Sequence, residues 1–207
     1  MSTSVVAVHP DPDSLPRGQQ ERRDRIVRAA IALLEQGREY DEIQMRDVAS
    51  EAGVALGTVY RYFTSKEHLY AAALLEWSTN FPAREPSKRA GGSDEAQLRA
   101  LMRRAVRAFE RYPQMMRVEI VIETSSDPNA RALFEQFAAR NVGTLTHALS
   151  STDPKAAIAI VETVNSVLAT RLRSWALGRV TIADVDRSVQ QAIDLIFATS
   201  VEAAPRT

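Results

Sequence analysis

The sequence predicts an all-α protein, with an N-terminal three-helix domain followed by a larger helical domain. Apolar residues recur at steps of three and four residues through nearly the whole chain, which is the spacing of one helix face. Glycine or proline punctuates these stretches where helices begin and end. One segment, Val118 to Ile122, alternates like a strand and is rich in β-branched residues. No second alternating segment is available to pair with it, so we predict a helix there as well.

The N-terminal part divides into a tail and four helices. Residues 1–17 carry three prolines and no apolar periodicity, and we expect them to be disordered. The first helix has apolar residues at helical spacing from Ile26 and ends near Gly37, where a left-handed C-cap belongs. Two short helices then flank Gly53. A longer helix follows, with Ser65 as its N-cap.

The C-terminal part contains five further helices. The pairs Asp127-Pro128 and Asp153-Pro154 each open a helix, because proline is favoured at the first helical position. Thr181 caps the last helix. We predict a first domain at residues 18–66, which ends where the longer helix begins, and a second at residues 67–202.

The last two helices carry apolar residues at the alternating three- and four-residue steps of a coiled-coil seam. These residues are Ile158, Val161, Leu168 and Leu172 in one helix, and Val189, Ile193 and Ile196 in the other. By periodicity alone, the core of one subunit and an interface between two subunits explain both stripes equally well. Asn165 lies within the first seam, and a single polar residue of this kind fixes the register of paired helices. We therefore predict that the seams form the interface of a homodimer.

Charge and composition exclude several classes of protein. The chain has 26 Lys plus Arg and 26 Asp plus Glu, so any contact with nucleic acid depends on local rather than overall charge. It has no cysteine, which excludes disulfides, thiolate zinc sites and cysteine nucleophiles. No apolar run approaches the roughly 20 residues of a membrane span. We expect a cytoplasmic protein without a membrane partner.

The sequence also lacks the residue patterns of common catalytic sites. Its three histidines, His9, His68 and His147, are scattered, and no Gly-x-Ser-x-Gly, His-Glu-x-x-His or phosphate-binding glycine loop is present. We therefore expect no catalytic residues, no cofactor and no metal. The alternative is a helical protein-interaction module, or a small helical enzyme, that does not use DNA.

The stretch from Gln44 to Lys66 has every part of a helix-turn-helix. A short amphipathic helix is followed by a turn at Gly53 and by a second short helix whose outer face can enter the major groove. No acidic residue occurs between Glu51 and Glu67, which matters because a carboxylate repels phosphate at close range. A basic arm, residues 17–28, precedes this unit.

Physical roles in DNA binding follow as hypotheses. Arg61 suits a bidentate contact to guanine, and Leu56 suits a thymine methyl. Gly57 lets the backbone approach a phosphate closely, while Tyr60 and Tyr62 offer hydroxyls to phosphate oxygens. The predicted DNA-binding residues are Arg22, Arg23, Arg46, Leu56, Gly57, Thr58, Tyr60, Arg61, Tyr62 and Lys66. For the two tyrosines the alternative is half-buried aromatic packing, and for Arg46 and Lys66 it is a solvated surface charge.

At these residues the sequence resembles the DNA-binding domain of the tetracycline-repressor (TetR) family. The matching motifs are MRDVA at 45–49, AGV at 52–54, GTVYRYF at 57–63 and SKEHL at 65–69. Met45 departs from the threonine common in the family, which removes one hydroxyl contact to phosphate, and Gln44 is expected to cap the helix instead. The resemblance implies a transcriptional repressor that binds a palindromic operator in double-stranded DNA as a homodimer and is released by a small effector.

The second domain holds methionine and aromatic residues that can line an adaptable apolar pocket. The predicted ligand-binding residues are Trp77, Phe81, Met102, Phe109, Met116, Phe134, Phe137, Asn165 and Trp175. For each of them the alternative is a plain helical core. The segment Val118 to Glu123 and an Arg-x-x-x-Trp-Ala-Leu ending at Leu177 also resemble, more weakly, the steroid- and lipid-responsive repressors of actinobacteria. That resemblance implies a hydrophobic effector of the lipid, steroid or acyl-CoA class.

Overall fold

The computed structural model describes the backbone of residues 15–84 and 92–202, and side chains within residues 15–79 and 92–198. In these ranges it has nine α-helices, a single 3-10 turn at Tyr40–Glu42 and no strand, which confirms the all-α prediction. The helices are α1 Arg17–Glu35, α2 Met45–Glu51, α3 Leu56–Tyr62, α4 Lys66–Arg84, α5 Asp94–Arg111, α6 Pro113–Glu123, α7 Pro128–His147, α8 Pro154–Ala176 and α9 Ile182–Glu202. Most of the predicted tail, residues 1–14, lies outside the described residues.

The segment with strand-like alternation is helical, as predicted. It forms the second half of α6. Val118 and Ile122 are four residues apart on one helix face, and both are fully buried. Packing of this face outweighs the weak β-propensity of the branched side chains.

The chain forms two compact units that do not follow a single cut in the sequence. The first groups the described residues up to Arg84 with Arg117–Phe137, and the second groups residues 92–116 with those from Ala138 onward. Helices α6 and α7 therefore each contribute residues to both units. The predicted boundary after residue 66 falls at the start of α4, whereas the first unit extends to the end of that helix. As a boundary between functions, residue 66 stays a prediction.

In the first unit, α1 is the central helix. It packs against α2, α3 and α4, and its inner face contributes fully buried residues such as Ile26 and Val27. From the short helices, Val48, Val59 and Phe63 are also fully buried. The residues predicted to face inward therefore fix α2 and α3 to the rest of the unit.

In the second unit, α8 and α9 pack against each other and α5 packs against both. This packing corrects most of the predicted dimer interface. Val161, Leu168, Leu172, Val189 and Ile193 are all buried within the single chain. The seams therefore serve mainly as core of one subunit, the other interpretation that their periodicity allowed. Of the remaining two predicted residues, Ile158 is exposed and Ile196 is half-buried.

None of the described helices combines the length and apolarity needed to cross a membrane.

Candidate nucleic-acid interface

The turn between α2 and α3 requires a glycine. Gly53 has φ +63°, a left-handed conformation that costs other residues about 1–2 kcal/mol. Its N–H donates to the carbonyl of Ser50 at 3.1 Å, and the N–H of Val54 donates to the carbonyl of Ala49 at 3.0 Å. These bonds satisfy carbonyls that the end of α2 leaves free. The turn thus sets the direction in which α3 leaves α2.

The start of α2 carries a carboxylate that the surrounding residues neutralise. Gln44 is the N-cap residue, as predicted, and its N–H donates to Asp47 Oδ2 at 2.9 Å. Arg38 Nη2 donates to the same oxygen at 3.0 Å. The Gln44 N–H and then the Arg38 guanidinium hold the pKa of Asp47 below its ordinary value. Sequence reasoning missed Arg38, because it lies outside the helix-turn-helix motif and no periodicity links it to Asp47.

Helix α3 presents one open face and one buried face. Leu56 is 41% exposed and Tyr60 is 51% exposed, and Gly57 and Arg61 are also exposed. These four residues lie at positions i, i+1, i+4 and i+5, so they share one side of the helix. Thr58 is half-buried at its edge. The structure therefore brings together the predicted base-reading residues on a single accessible surface.

Tyr62 does not belong to that surface. It is only 6% exposed, and its hydroxyl is buried with no hydrogen-bond partner among the described residues. The reason is its spacing, because Tyr62 follows the fully buried Val59 by three residues and shares its helix face. The Arg61 guanidinium lies over the Tyr62 ring, 5.7 Å from its centroid. The predicted phosphate contact of Tyr62 is corrected to aromatic packing in this conformation.

Lys66 is engaged within the unit. Its Nζ donates to the carbonyl of Tyr40 and lies 3.9 Å from the centroid of the Tyr40 ring. The Tyr40 hydroxyl in turn donates to Glu67 Oε1 at 3.4 Å. Burial lowers the pKa of Lys66, and the nearby carboxylates oppose that shift. The first turn of α4 is thereby tied to the 3-10 turn, and the phosphate contact of Lys66 stays a prediction.

The predicted contacts from α1 and α2 differ in accessibility. Arg46, in the first turn of α2, is exposed and Arg22 is half-buried. The Arg23 side chain is only 15% exposed, and its guanidinium lies 5.3 Å from the centroid of Phe63 and 3.9 Å from Asp24. Arg23 therefore packs against Phe63, the C-cap residue that follows α3, which corrects its predicted role as part of a free basic arm.

The predicted pocket residues are distributed over both units. In the first unit, Trp77 and Phe137 are buried, and the rings of Phe134 and Phe137 lie 5.8 Å apart. The members in the second unit are buried or half-buried; they are Met102, Phe109, Met116, Asn165 and Trp175. Phe81 lies in the last turns of α4, where the structure describes only the backbone. These positions agree with core packing, and their role in binding a ligand stays a prediction.

Comparison with known protein families supports a single assignment. Residues 26–73 match the model of bacterial regulatory proteins of the tetR family. Residues 91–196 match the model of a tetracyclin repressor-like C-terminal domain. Together the two models cover the helix-turn-helix and most of the helices after it.

Individual proteins are similar to this chain over nearly its full length. The HTH-type transcriptional repressor KstR of Rhodococcus jostii is 29% identical over 204 residues, which is 95% of this chain and 92% of that protein. KstR of Mycobacterium tuberculosis is 30% identical over 194 residues, covering 93% and 88%. A TetR transcriptional regulator from Rhodococcus sp. RHA1, known from its crystal structure, has a TM-score of 0.71 at 26% identity and covers 88% of this chain and 98% of its own.

The fold is also shared with a more distant protein. The transcriptional regulator FadR of Bacillus subtilis, solved in complex with stearoyl-CoA, has a TM-score of 0.61 at 17% identity, covering 82% of this chain and 96% of its own. With an open recognition face on a helix-turn-helix, and with both family models matched, the chain belongs to the TetR family of DNA-binding transcriptional regulators and is not an enzyme.

Proposed function

We propose that the protein is a cytoplasmic repressor that binds an inverted-repeat operator as a homodimer and leaves it when a small hydrophobic effector binds. The observation that carries this proposal is the open face of α3. Leu56, Gly57, Tyr60 and Arg61 are exposed on a helix whose other side is buried. The apolar side chain of Leu56 suits a thymine methyl, and the guanidinium of Arg61 suits a guanine edge in the major groove. The bare backbone at Gly57 and the hydroxyl of Tyr60 suit phosphates.

The charged residues near the exposed face of α3 favour contact with DNA only close to that face. Residues 52–66 contain two basic residues and no acidic one, whereas residues 35–51 contain six acidic residues and two basic ones. Arg38 forms an ion pair with Asp47, the carboxylate that follows the exposed Arg46 in sequence, and so neutralises it. Because the whole chain is neutral, we expect modest nonspecific affinity and a specific complex that depends on a small contact surface.

Two copies of the chain are needed for adequate specificity. A helix of seven residues such as α3 is only about 10 Å long and reads a few base pairs. A two-fold dimer reads two half-sites about one helical turn apart. Since the predicted seams are mostly buried within one subunit, we assign the interface to the parts of α8 and α9 that stay exposed. Ile158 on α8 is 44% exposed and Leu195 on α9 is 71% exposed.

The effector is proposed to be hydrophobic, of the lipid, steroid or acyl-CoA class. The second unit supplies methionine and aromatic side chains, and half-buried Asn165 offers a polar group to orient a ligand. The weak sequence resemblance to steroid- and lipid-responsive repressors agrees with the similarity to KstR proteins. The FadR structure shows that the fold accommodates stearoyl-CoA in that protein.

Selection of binding sites from a random duplex library tests the DNA-binding proposal. We expect enrichment of one inverted repeat and a dissociation constant that rises steeply with salt concentration. If no sequence is enriched, or if binding is insensitive to salt, the proposal fails and a protein-interaction module is favoured instead. Mass spectrometry of small molecules that copurify with the native protein tests the effector class, and a bound polar metabolite would contradict it.

A further inference from the structure

The turn between α6 and α7 contacts the two residues that link the recognition helix to α4. Thr64 Oγ1 donates a hydrogen bond to Asp127 Oδ2 at 2.9 Å, and Ser65 Oγ donates to the same oxygen at 2.6 Å. The partners are 63 and 62 residues apart in sequence, and all three belong to the first compact unit. One carboxylate oxygen thus holds the chain directly after α3 from a distant part of the sequence.

The other oxygen of the same carboxylate caps α7. Asp127 Oδ1 accepts from the N–H of Asn129 at 2.8 Å and from the N–H of Ala130 at 3.2 Å. Burial by itself raises the pKa of Asp127, but the hydrogen bonds from Ser65, Ala130, Thr64 and Asn129 together outweigh it and lower the pKa below its ordinary value. Asp127 is therefore ionised at neutral pH, and all four bonds are charge-assisted.

The residues held by Asp127 are themselves fixed to both neighbouring helices. Ser65 Oγ accepts from the N–H of His68 at 3.0 Å and so caps α4. The N–H of Thr64 donates to His68 Nδ1 at 3.2 Å, and Asn129 Nδ2 donates to Thr64 Oγ1 at 3.3 Å. His68 and Asn129 are both buried. This polar network, which we call the Asp127 latch, joins the end of α3, the start of α4 and the start of α7.

Helix α7 gives the latch a role beyond local packing. Residues up to Phe137 belong to the first unit, and the helix continues without a break into residues of the second. A shift or rotation of α7 would move its N-cap, and the bonds of Asp127 to Thr64 and Ser65 would pass that movement to those two residues. Those residues follow Tyr60 and Arg61 on the exposed face of α3 by only a few positions. A displacement there would change the orientation of the exposed face of α3.

We propose that Asp127 is a positioning residue for DNA binding, through which α7 controls the placement of the recognition helix. This inference rests on the proposed function. Asp153 provides a matched control, because it caps α8 in the same way. It precedes a proline, and its Oδ1 accepts from the N–H groups of Lys155 and Ala156, both at 3.1 Å. Among the described residues Asp153 has no side-chain bond to another helix.

The experiment compares Asp127→Ala and Asp153→Ala with the full-length wild-type protein. Both substitutions remove a comparable N-cap, and Asp127→Ala is expected to lower the melting temperature further because it also removes the bonds from Thr64 and Ser65. On the duplex selected by the wild-type protein, we expect Asp127→Ala to raise the dissociation constant about tenfold or more, and Asp153→Ala to change it less than twofold. Asp127→Asn, which keeps a good N-cap, is expected to restore stability more fully than operator affinity.

Hydrogen exchange gives a second readout that does not require DNA. In the free protein, Asp127→Ala is expected to speed exchange of the amides of residues 63–69, and Asp153→Ala is expected to leave them unchanged. If residues 63–69 exchange alike in all three proteins, Asp127 positions nothing and the inference is wrong. Equal operator affinities for the two alanine variants would also overturn it. If the wild-type protein binds no duplex, the proposed function fails, whereas the exchange data still decide whether Asp127 holds this segment.

Discussion

Gly57→Ala separates the stability of the recognition helix from its contact with DNA. Gly57 is the second residue of α3, is exposed, and has an ordinary helical backbone conformation. A Cβ atom built at this position meets no heavy atom within 4 Å. The free protein therefore accommodates the added methyl without strain.

The expected effects on folding and on binding have opposite signs. Alanine is more favourable than glycine in a helix by at most about 1 kcal/mol, so the free energy of unfolding rises slightly or stays constant. In the complex, the methyl occupies space that we assign to the DNA backbone. Forcing one methyl into a close-packed contact costs about 1–3 kcal/mol, which corresponds to an operator affinity about 5- to 150-fold weaker.

Fluorescence anisotropy with the selected duplex, together with thermal unfolding, measures both effects. Gly143→Ala is the matched control, because Gly143 lies within α7, is exposed, and also has no heavy atom within 4 Å of a built Cβ. We expect this variant to be as stable as Gly57→Ala, or more stable, and to bind DNA like the wild type. Wild-type affinity in Gly57→Ala would refute the close approach of DNA at this position, and a clear loss of stability would refute the geometry of α3.

Three further substitutions test separate parts of the structure. Arg46→Ala removes an exposed cation and should reduce the slope of log affinity against log salt concentration by about 0.9, and an unchanged slope would show that Arg46 does not contact phosphate. Tyr60→Phe should weaken operator binding. Tyr62→Phe removes a buried hydroxyl that has no hydrogen-bond partner among the described residues, so it should leave operator binding unchanged and the free energy of unfolding equal or higher. Weaker binding by Tyr62→Phe than by Tyr60→Phe would contradict the assignment of the two faces of α3. Leu172→Ala should lower the free energy of unfolding by about 2–5 kcal/mol, whereas exposed Leu195→Ala should preserve it and weaken self-association in sedimentation experiments. Equal losses of stability in these two variants would contradict the proposed dimer surface.

Local sequence patterns predicted the elements of this fold well because each has a local physical cause. Gly53 in the turn, Ser65 at the start of α4 and the Asp-Pro pairs before α7 and α8 act within a few residues of their positions. The helix at Val118 required one non-local consideration, namely the lack of a partner strand. Residue spacing along α3 also predicted its exposed side, including Tyr60 and Arg61.

Other features of the fold depend on which partner an apolar helix face packs against. The periodicity of the sequence does not specify that partner. Val161 and Val189 have the same spacing whether their partner is a helix of the same chain or of a second subunit, and in this chain they are internal. The burial of Tyr62 follows from its three-residue spacing to Val59, and aromatic packing was the alternative to its predicted phosphate contact. The bonds that join Asp127 to Thr64 and Ser65 have no local signal, because these partners are more than sixty residues away in sequence.

Site selection with the wild-type protein and with Arg61→Ala, performed in parallel, tests most directly whether the exposed face of α3 reads DNA sequence. Because Arg61 is assigned to a base edge, we expect both proteins to enrich an inverted repeat with the same half-site spacing. The Arg61→Ala repeat should have lost its preference at one base pair in each half-site. Identical consensus sequences for the two proteins, or no enrichment by the wild type, would contradict the account.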